Sequence, residues 1–168
     1  MQQKPYTLGS FHAELSQQEP EFARALEECS LFLRRYLPGE PIMRQGEQSE
    51  CLYLVETGRV SLNSTVHSGR IFQLGEIACH NQIFGEMEFF SATPVQWIVV
   101  VETELDAIVI CAHKLAQRLR AEPGLVLFFA AALASDYLDT LDITTSRLLH
   151  PIAYNIAYEL WRERQRTP

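Results

Sequence analysis

The sequence predicts an α+β domain in which a jelly roll or sandwich of short strands is flanked by helices. From Cys51 onward, apolar side chains recur at every second position, which is typical of half-buried strands. Before and after that block, apolar side chains recur at the spacing of a helix face. Apolar residues make up 47% of the 168 positions, so the chain can build a sizeable core.

The first predicted element is a helix from about Pro20 to Tyr36. A proline suits the first turn of a helix, where its missing N–H costs nothing. Apolar side chains recur along this segment at helical spacing: Phe22, Leu26, Cys29, Phe32 or Leu33, and Tyr36. The following stretch, "YLPGEPIMRQGE", holds two prolines and two glycines, which predicts turns and short strands in place of a helix.

The central block predicts strands. In "CLYLVETGRVSLNSTV", Val60, Leu62 and Val66 alternate with polar residues, as expected for a strand with one wet face. Turns are predicted on either side of it, at residues 56–59 and 67–70. The stretch "PVQWIVVVETELDAIVICA" supplies two further strands, which we expect to pair with each other around residues 102–104.

Two helices are predicted after the strands. The first is short, "AHKLAQRLRA", and the second runs from Pro123 to about Leu149. The second helix would be roughly 40 Å long, more than one small β-domain can cover. Its apolar stripe therefore predicts a homodimer, and burial of the whole helix within one chain is the alternative. The predicted dimerisation residues are Val126, Phe129, Leu133, Tyr137 and Leu141.

The end of the chain predicts a hinge and one more helix. The weak helix formers Ile143, Thr144 and Thr145, followed by Pro151, favour a hinge near residues 143–151. Residues 151–165, "PIAYNIAYELWRERQ", have the pattern of an amphipathic helix. We expect residues 1–149 to form one domain that includes the dimerisation helix 123–149. Residues 150–168 would then begin a second domain.

Charge and apolar patterning exclude several classes of protein. With 21 acidic and 14 basic side chains, the formal charge is −7. Such a surface disfavours nucleic-acid binding, because phosphate contacts need lysine and arginine. The first residues lack the apolar core of a signal peptide, and the longest apolar run, "GLVLFFAAALA", is shorter than a bilayer span. We expect a cytoplasmic protein with free thiols and no membrane contact.

The spacing of histidines and cysteines disfavours metal and cofactor chemistry. A cupin-like metal enzyme, which is also a jelly roll, would need an HxH pair, and none occurs. An iron–sulfur cluster needs convergent thiolates, whereas Cys29, Cys51 and Cys111 lie in separate predicted elements. Cys79, beside His80, is the thiol expected to be most exposed. We predict no enzyme activity and no cofactor, and keep the metal enzyme as an alternative.

The order of these elements resembles the sensory half of the catabolite-activator/FNR (CRP/FNR) family of bacterial transcription regulators. "YLPGEPIMRQGEQSECLYLVETGRVSL" is similar to the opening β-roll of that family, and "IFGEMEFF" is similar to the start of its phosphate-binding cassette. The similarity covers roughly residues 30 to 165 and is nearest to the YeiL-type branch. It implies a cyclic-nucleotide-binding-like jelly roll, a homodimer, a small-molecule effector, and DNA binding through a winged helix that this chain lacks.

The resemblance also implies a site. In relatives that bind a cyclic nucleotide, a Gly-Glu pair supplies the contact to the ribose, and an Arg followed by Ser or Thr binds the cyclic phosphate. Gly85 and Glu86 match the pair, whereas Gln96 and Trp97 stand where the Arg and the Ser or Thr are expected. The implied ligand-binding residues are Phe84, Gly85, Glu86, Met87, Gln96, Trp97 and Thr140.

The missing arginine predicts that cAMP and cGMP are not the ligands. Gln96 carries no charge, and no arginine or lysine lies between Arg70 and Lys114. The effector is therefore unidentified, and a stand-alone module for a neutral or hydrophobic small molecule is a further alternative. Two alternatives stay open for single residues. Glu86 contacts a ligand or caps a short helix, and Trp97 lies in the core, which is favoured, or offers a stacking surface.

Overall fold

The structure is a computed structural model that describes residues 1, 9–65, 69–149 and 151–166. The chain divides into two compact units, Met1–Ala132 and Leu133–Pro168. Val66, His67 and Ser68, predicted to end a strand and form a turn, lie outside the described residues, as does His150.

In the described part of the first unit, six strands form a curled antiparallel sheet, which confirms the predicted jelly roll. In the sheet the strand order is β1-β6-β3-β5-β2, and β4 pairs with β3. The strands are β1 (Ser30–Tyr36), β2 (Pro41–Met43), β3 (Cys51–Thr65), β4 (Ile71–Phe84), β5 (Ile98–Val101) and β6 (Leu105–Cys111).

Strand β3 organises the sheet because it changes partner along its length. Its first residues pair with β6, residues 60–63 pair with β5, and nearly its whole length pairs with β4. At Gly58 the backbone has φ +140°, and a Cβ there would lie 2.9 Å from the Cβ of Leu105. Glycine therefore lets the strand bend without ending. The turn predicted at 56–59 is wrong, since these residues continue β3.

The expected pairing of β5 with β6 is also wrong, because each strand pairs with β3. The link between them is tied to β3, since the backbone N–H of Glu102 donates to the carbonyl of Arg59 at 2.8 Å. The short loop thus crosses from the part of β3 that pairs with β5 to the part that pairs with β6.

The helix predicted over residues 20–36 is wrong at both ends. Helix α1 spans His12–Glu28, so Pro20 lies inside it, and the residues from Ser30 onward form β1. The residues of "LFL" suit a helix face and a strand equally well. Pairing with β6, from Ser30 opposite Ile110 to Tyr36 opposite Leu105, decides for the strand.

Two apolar cores fill the first unit, one against the helices and one inside the roll. On the helix side, the ring of Phe22 stacks on Phe128 at 4.2 Å and meets Phe129 edge-on at 5.4 Å. The roll interior contains a separate cluster of buried side chains, including Tyr36, Val55, Val60, Cys79, Phe84 and Val101.

The helices predicted after the strands are confirmed. They are α3 (Ala112–Ala121), a 3₁₀ turn at Pro123–Leu125 leading into α4 (Val126–Leu149), and α5 (Ile152–Arg166). The segment predicted as a hinge is helical up to Leu149. Within the second unit, the hydroxyl of Tyr158 donates to Asp142 at 3.1 Å and that of Ser146 to Asn155 at 3.1 Å, so α5 is bonded to the end of α4.

By length and composition alone, the stretch Pro123–Ser146 could cross a bilayer, contrary to the sequence expectation that the apolar run is too short. Its first part is built into the helix-side core, however. Leu125, Phe128, Phe129 and Ala132 are each at most 3% exposed. A helix committed to a protein core passes the same test of composition, so the stretch is weak evidence for a membrane span.

Candidate functional site

The candidate site is the cassette of residues 84–97, where β4 ends and a short helix, α2 (Glu86–Ser91), begins. Gly85 is the N-cap residue of α2 and has φ +92°, a conformation that favours glycine. A Cβ on Gly85 would lie 3.2 Å from the carbonyl oxygen of Cys51 and 3.5 Å from the Cα of Leu52. Both the backbone conformation and this close approach to β3 therefore require glycine here.

Glu86 is buried and contacts an ammonium group. Its side chain is 10% exposed, and its Oε1 accepts a hydrogen bond from the α-amino group of Met1 at 3.0 Å. The same amine donates to the carbonyl of Ile83 at 2.8 Å, and the N–H of Ile83 donates to the carbonyl of Met1 at 2.6 Å. Met1 itself is 2% exposed. The α-amino group of Met1 thus contacts Glu86, the carboxylate to which the family resemblance gives the ribose contact.

A second carboxylate, Glu88, is also buried and organises the far end of the cassette. Its Oε1 accepts from the backbone N–H of Gln96 at 3.2 Å. The side chain of Gln96 donates from Nε2 to the carbonyl of Pro94 at 2.7 Å and is exposed. The Gln96 amide is therefore bonded within its own loop, beside a carboxylate that gives the site negative potential.

The roll and its cassette together match a known protein family. The sequence pattern of the family described as "Cyclic nucleotide-binding domain" matches residues 33–122, more than half of the chain. The chain belongs to the cyclic nucleotide-binding domain family. A search among curated proteins finds no match.

Bacterial regulators are among the similar solved structures. The catabolite activator protein of Thermus thermophilus is 25% identical with a TM-score of 0.63, over 77% of this chain and 59% of that one. The c-di-GMP responsive global regulator CLP of Xanthomonas campestris is 21% identical with a TM-score of 0.70, over 84% and 70%. The sensor domain of the transcriptional regulator DNR of Pseudomonas aeruginosa is 20% identical with a TM-score of 0.59, over 73% and 81%.

These matches confirm the resemblance to CRP/FNR sensor domains, whereas the YeiL-type branch stays a prediction. The chain spans less than two thirds of the length of the Thermus protein. Regulators of this kind are not enzymes. Within the described residues, no three His, Cys, Asp or Glu side chains are grouped to hold a metal ion.

The other predicted ligand residues fall into different environments. Phe84 is buried in the roll core, while Met87 and Trp97 are both 36% exposed. The expectation that Trp97 lies in the core is therefore wrong. Glu86 is the first residue of α2, one position after the N-cap residue Gly85, and its carboxylate accepts from the Met1 amine. Thr140 lies in the second unit, where its hydroxyl donates to the carbonyl of Asp136 at 2.8 Å.

Two features of this cyclic nucleotide-binding domain were not predicted from the sequence. The contact of Met1 with Glu86 joins residues 85 positions apart and has no local signal. The acceptor role of Glu88 likewise has no local signal, because its partner is the N–H of Gln96, eight residues later in the chain.

Cys79 is not the exposed thiol that the sequence suggested. It is 1% exposed, and burial raises the pKa of its thiol to about 11 from the ordinary value of 9.0. The free energy of unfolding should therefore fall as pH rises through the window between these values, because the unfolded thiol loses its proton first. The loss from this group should reach about 2–3 kcal/mol at the upper end.

Denaturant unfolding at several pH values across that window measures this effect. In the Cys79→Ala variant, the free energy of unfolding should fall less steeply with pH than in the natural chain. The contributions of the other titrating groups are the same in both proteins and cancel in the comparison. Parallel pH profiles for the two proteins would contradict the prediction.

Proposed function

We propose that this chain is the sensor and dimerisation module of a CRP/FNR-type transcription regulator whose effector is neither cAMP nor cGMP. The observation that carries the proposal is that Gln96, at the position expected for the phosphate-binding arginine, has no charge and donates its amide to the carbonyl of Pro94. Glu88 adds a buried carboxylate to the same cassette, whereas the carboxylate of Glu86 is already paired with the Met1 amine.

The magnitude of the missing interaction supports this exclusion. A cyclic nucleotide brings a full negative charge, and helix-start amides contribute only about 0.3–1 kcal/mol toward binding it. Removing one partner of a buried ion pair costs about 3–5 kcal/mol. This corresponds to about two to nearly four decades in the dissociation constant. A nucleotide that used Glu86 would in addition have to displace the amine of Met1.

Isothermal titration calorimetry of the natural chain with cAMP and with cGMP tests the proposal. We expect no binding at micromolar concentrations of either nucleotide. Micromolar affinity with Gln96 in place would overturn it.

The proposed dimer rests on exposed apolar side chains of α4. Tyr137, Leu138 and Leu141 are 64%, 65% and 42% exposed. Val126 and Leu133, also in the predicted set, are half-buried. Phe129 is 1% exposed, because it already packs on Phe22, so Tyr137 and Leu141 carry the larger share of the proposed interface.

Light scattering measures the mass directly. We expect twice the chain mass of 19.2 kDa, and a monomer for the double variant Tyr137→Asp/Leu141→Asp. The control Phe32→Asp changes a side chain that is 57% exposed on β1 and should leave the dimer intact. A natural chain that stays at 19.2 kDa across micromolar concentrations contradicts the dimer.

DNA recognition is assigned in this proposal to a winged helix of which α5 would be the first helix. An effector would reposition α4 and thereby the two winged helices of a dimer on adjacent major grooves. The net charge of −7 agrees with a chain that does not bind DNA specifically by itself. The cytoplasmic location is proposed from the resemblance to bacterial transcription regulators.

A further inference from the structure

The sheet brings together two cysteines that are 60 residues apart in the sequence. Cys51, the first residue of β3, lies directly opposite Cys111, the last residue of β6, in antiparallel register. Both thiols are partly exposed and free. We propose that Cys51 and Cys111 form a reversible cross-strand disulfide in response to peroxide.

The backbone hydrogen bonds show that these two residues form a non-hydrogen-bonded pair. The N–H of Cys111 donates to the carbonyl of Cys29 at 2.9 Å, on the other side of β6. Next to the pair, the N–H of Ala112 donates to the carbonyl of Glu50 at 3.0 Å. In antiparallel sheets the Cα atoms of such pairs are about 4.5 Å apart. That spacing lies within the range of about 4.4–6.8 Å that disulfides span.

The two side chains also lie on the same face of the sheet. Side chains alternate along a strand, so Cys51 shares a face with Tyr53, and Cys111 shares a face with Ala107. Tyr53 and Ala107 both belong to the roll-side cluster. Cys29, although its carbonyl is bonded to Cys111, belongs to the helix-side cluster. Cys51 is therefore the partner that Cys111 can reach.

Exposure separates this pair from the remaining thiols. Cys29 is 4% exposed and Cys79 is 1% exposed, so a dissolved oxidant reaches Cys51 and Cys111 first. Burial, the Cys111 thiol and the Glu50 carboxylate all raise the pKa of Cys51. Mildly alkaline conditions therefore suit the experiment, because the thiolate is the reactive form.

The reaction balances with peroxide as the only oxidant. One thiolate attacks an oxygen of hydrogen peroxide, the O–O bond breaks, a sulfenic acid forms, and the other oxygen leaves as water after protonation. The second thiolate attacks the sulfenic sulfur, forming the S–S bond and releasing the sulfenic oxygen as a second water. Two electrons pass from the sulfur atoms to the peroxide.

The geometry also predicts that the bond is easily reduced and lies beside the cassette. Opposed Cβ atoms in antiparallel sheets are about 4.5–5.5 Å apart. Non-hydrogen-bonded pairs lie at the lower end of this range, and a disulfide prefers about 3.5–4.5 Å, so closure needs only a small approach of β3 and β6. A disulfide closed under such strain is more readily reduced. The carbonyl of Cys51 faces Gly85, so this movement would act on the backbone that carries the cassette.

Mass spectrometry of the 168-residue chain tests the proposal. The reduced protein is treated with a small excess of hydrogen peroxide, denatured, alkylated and digested without reductant. We expect two of the four thiols to escape alkylation, one linked peptide pair containing Cys51 and Cys111, and full recovery of thiols with dithiothreitol. Cys51→Ser and Cys111→Ser should each abolish the link, whereas the matched control Cys29→Ala/Cys79→Ala should keep it.

Three outcomes overturn the proposal: all thiols remain alkylated, the link joins other cysteines or two chains, or it persists in Cys51→Ser. The linked peptide is read from the natural chain, so the test holds even where a serine variant folds poorly. It is also independent of nucleotide binding.

Discussion

Truncating Phe22 to alanine is expected to lower the free energy of unfolding by about 3–5 kcal/mol. Phe22 is fully buried and contacts both Phe128 and Phe129, so its removal leaves a cavity between α1 and the start of α4. For a chain of this size each kcal/mol shifts the melting temperature by about 2–4 °C. Thermal unfolding followed by circular dichroism should show a fall of roughly 6–20 °C.

The matched control is Phe32→Ala, which removes the same side chain from a position 57% exposed on β1. Surface substitutions usually change stability by less than about 0.5 kcal/mol. Equal melting temperatures for the natural chain and Phe22→Ala would mean that packing of the Phe22 ring between α1 and α4 does not stabilise the fold.

The parts of the fold that sequence predicts are those encoded by local periodicity. Helices α3, α4 and α5 were placed to within a few residues, because each repeats apolar residues at helical spacing and is punctuated by Pro123 or Pro151. The strands of the central block were found for the same reason, since alternation needs no knowledge of the partner strand.

Strand partners and the boundary between α1 and β1 could not be predicted in this way. The residues after Glu28 fit a helix as well as a strand, and only β6, more than 60 residues later, selects the strand. The same limit hid the opposition of Cys51 and Cys111, because the sequence shows only that they lie in separate predicted elements and not that these elements pair. Gly58 looked like a turn residue, whereas it bends a continuous strand.

In the candidate site, too, the sequence motif could be recognised, whereas contacts between distant residues could not be predicted. Gly85 and Glu86 were identified from the cassette pattern, and the φ of +92° at Gly85 gives a physical reason for that glycine. What neutralises Glu86 could not be predicted, because the amine of Met1 comes from the other end of the domain. Exposure of Trp97 was missed because an aromatic residue beside a strand is more often buried.

Restoring the expected cation should restore affinity for a cyclic nucleotide. The double variant Gln96→Arg/Trp97→Ser is expected to bind cAMP or cGMP about 100- to 5000-fold more tightly than the natural chain, since a guanidinium pairs with the phosphate and a small residue replaces the indole. Displacement of a fluorescent cyclic nucleotide gives both affinities. Because Glu88 could capture the new guanidinium, the same variant is also measured with Glu88→Gln, which keeps an acceptor for the N–H of residue 96.

The matched control is Gln96→Met/Trp97→Ser, which opens the same volume without a charge and should bind no better than the natural chain. If the arginine and methionine variants bind equally, with Glu88 or with glutamine at that position, charge at residue 96 is not what excludes the nucleotide. The cause would then lie with Met1, whose amine occupies Glu86, or with the shape of the roll. If only the arginine variants gain affinity, the missing positive charge at residue 96 is what excludes the cyclic nucleotide.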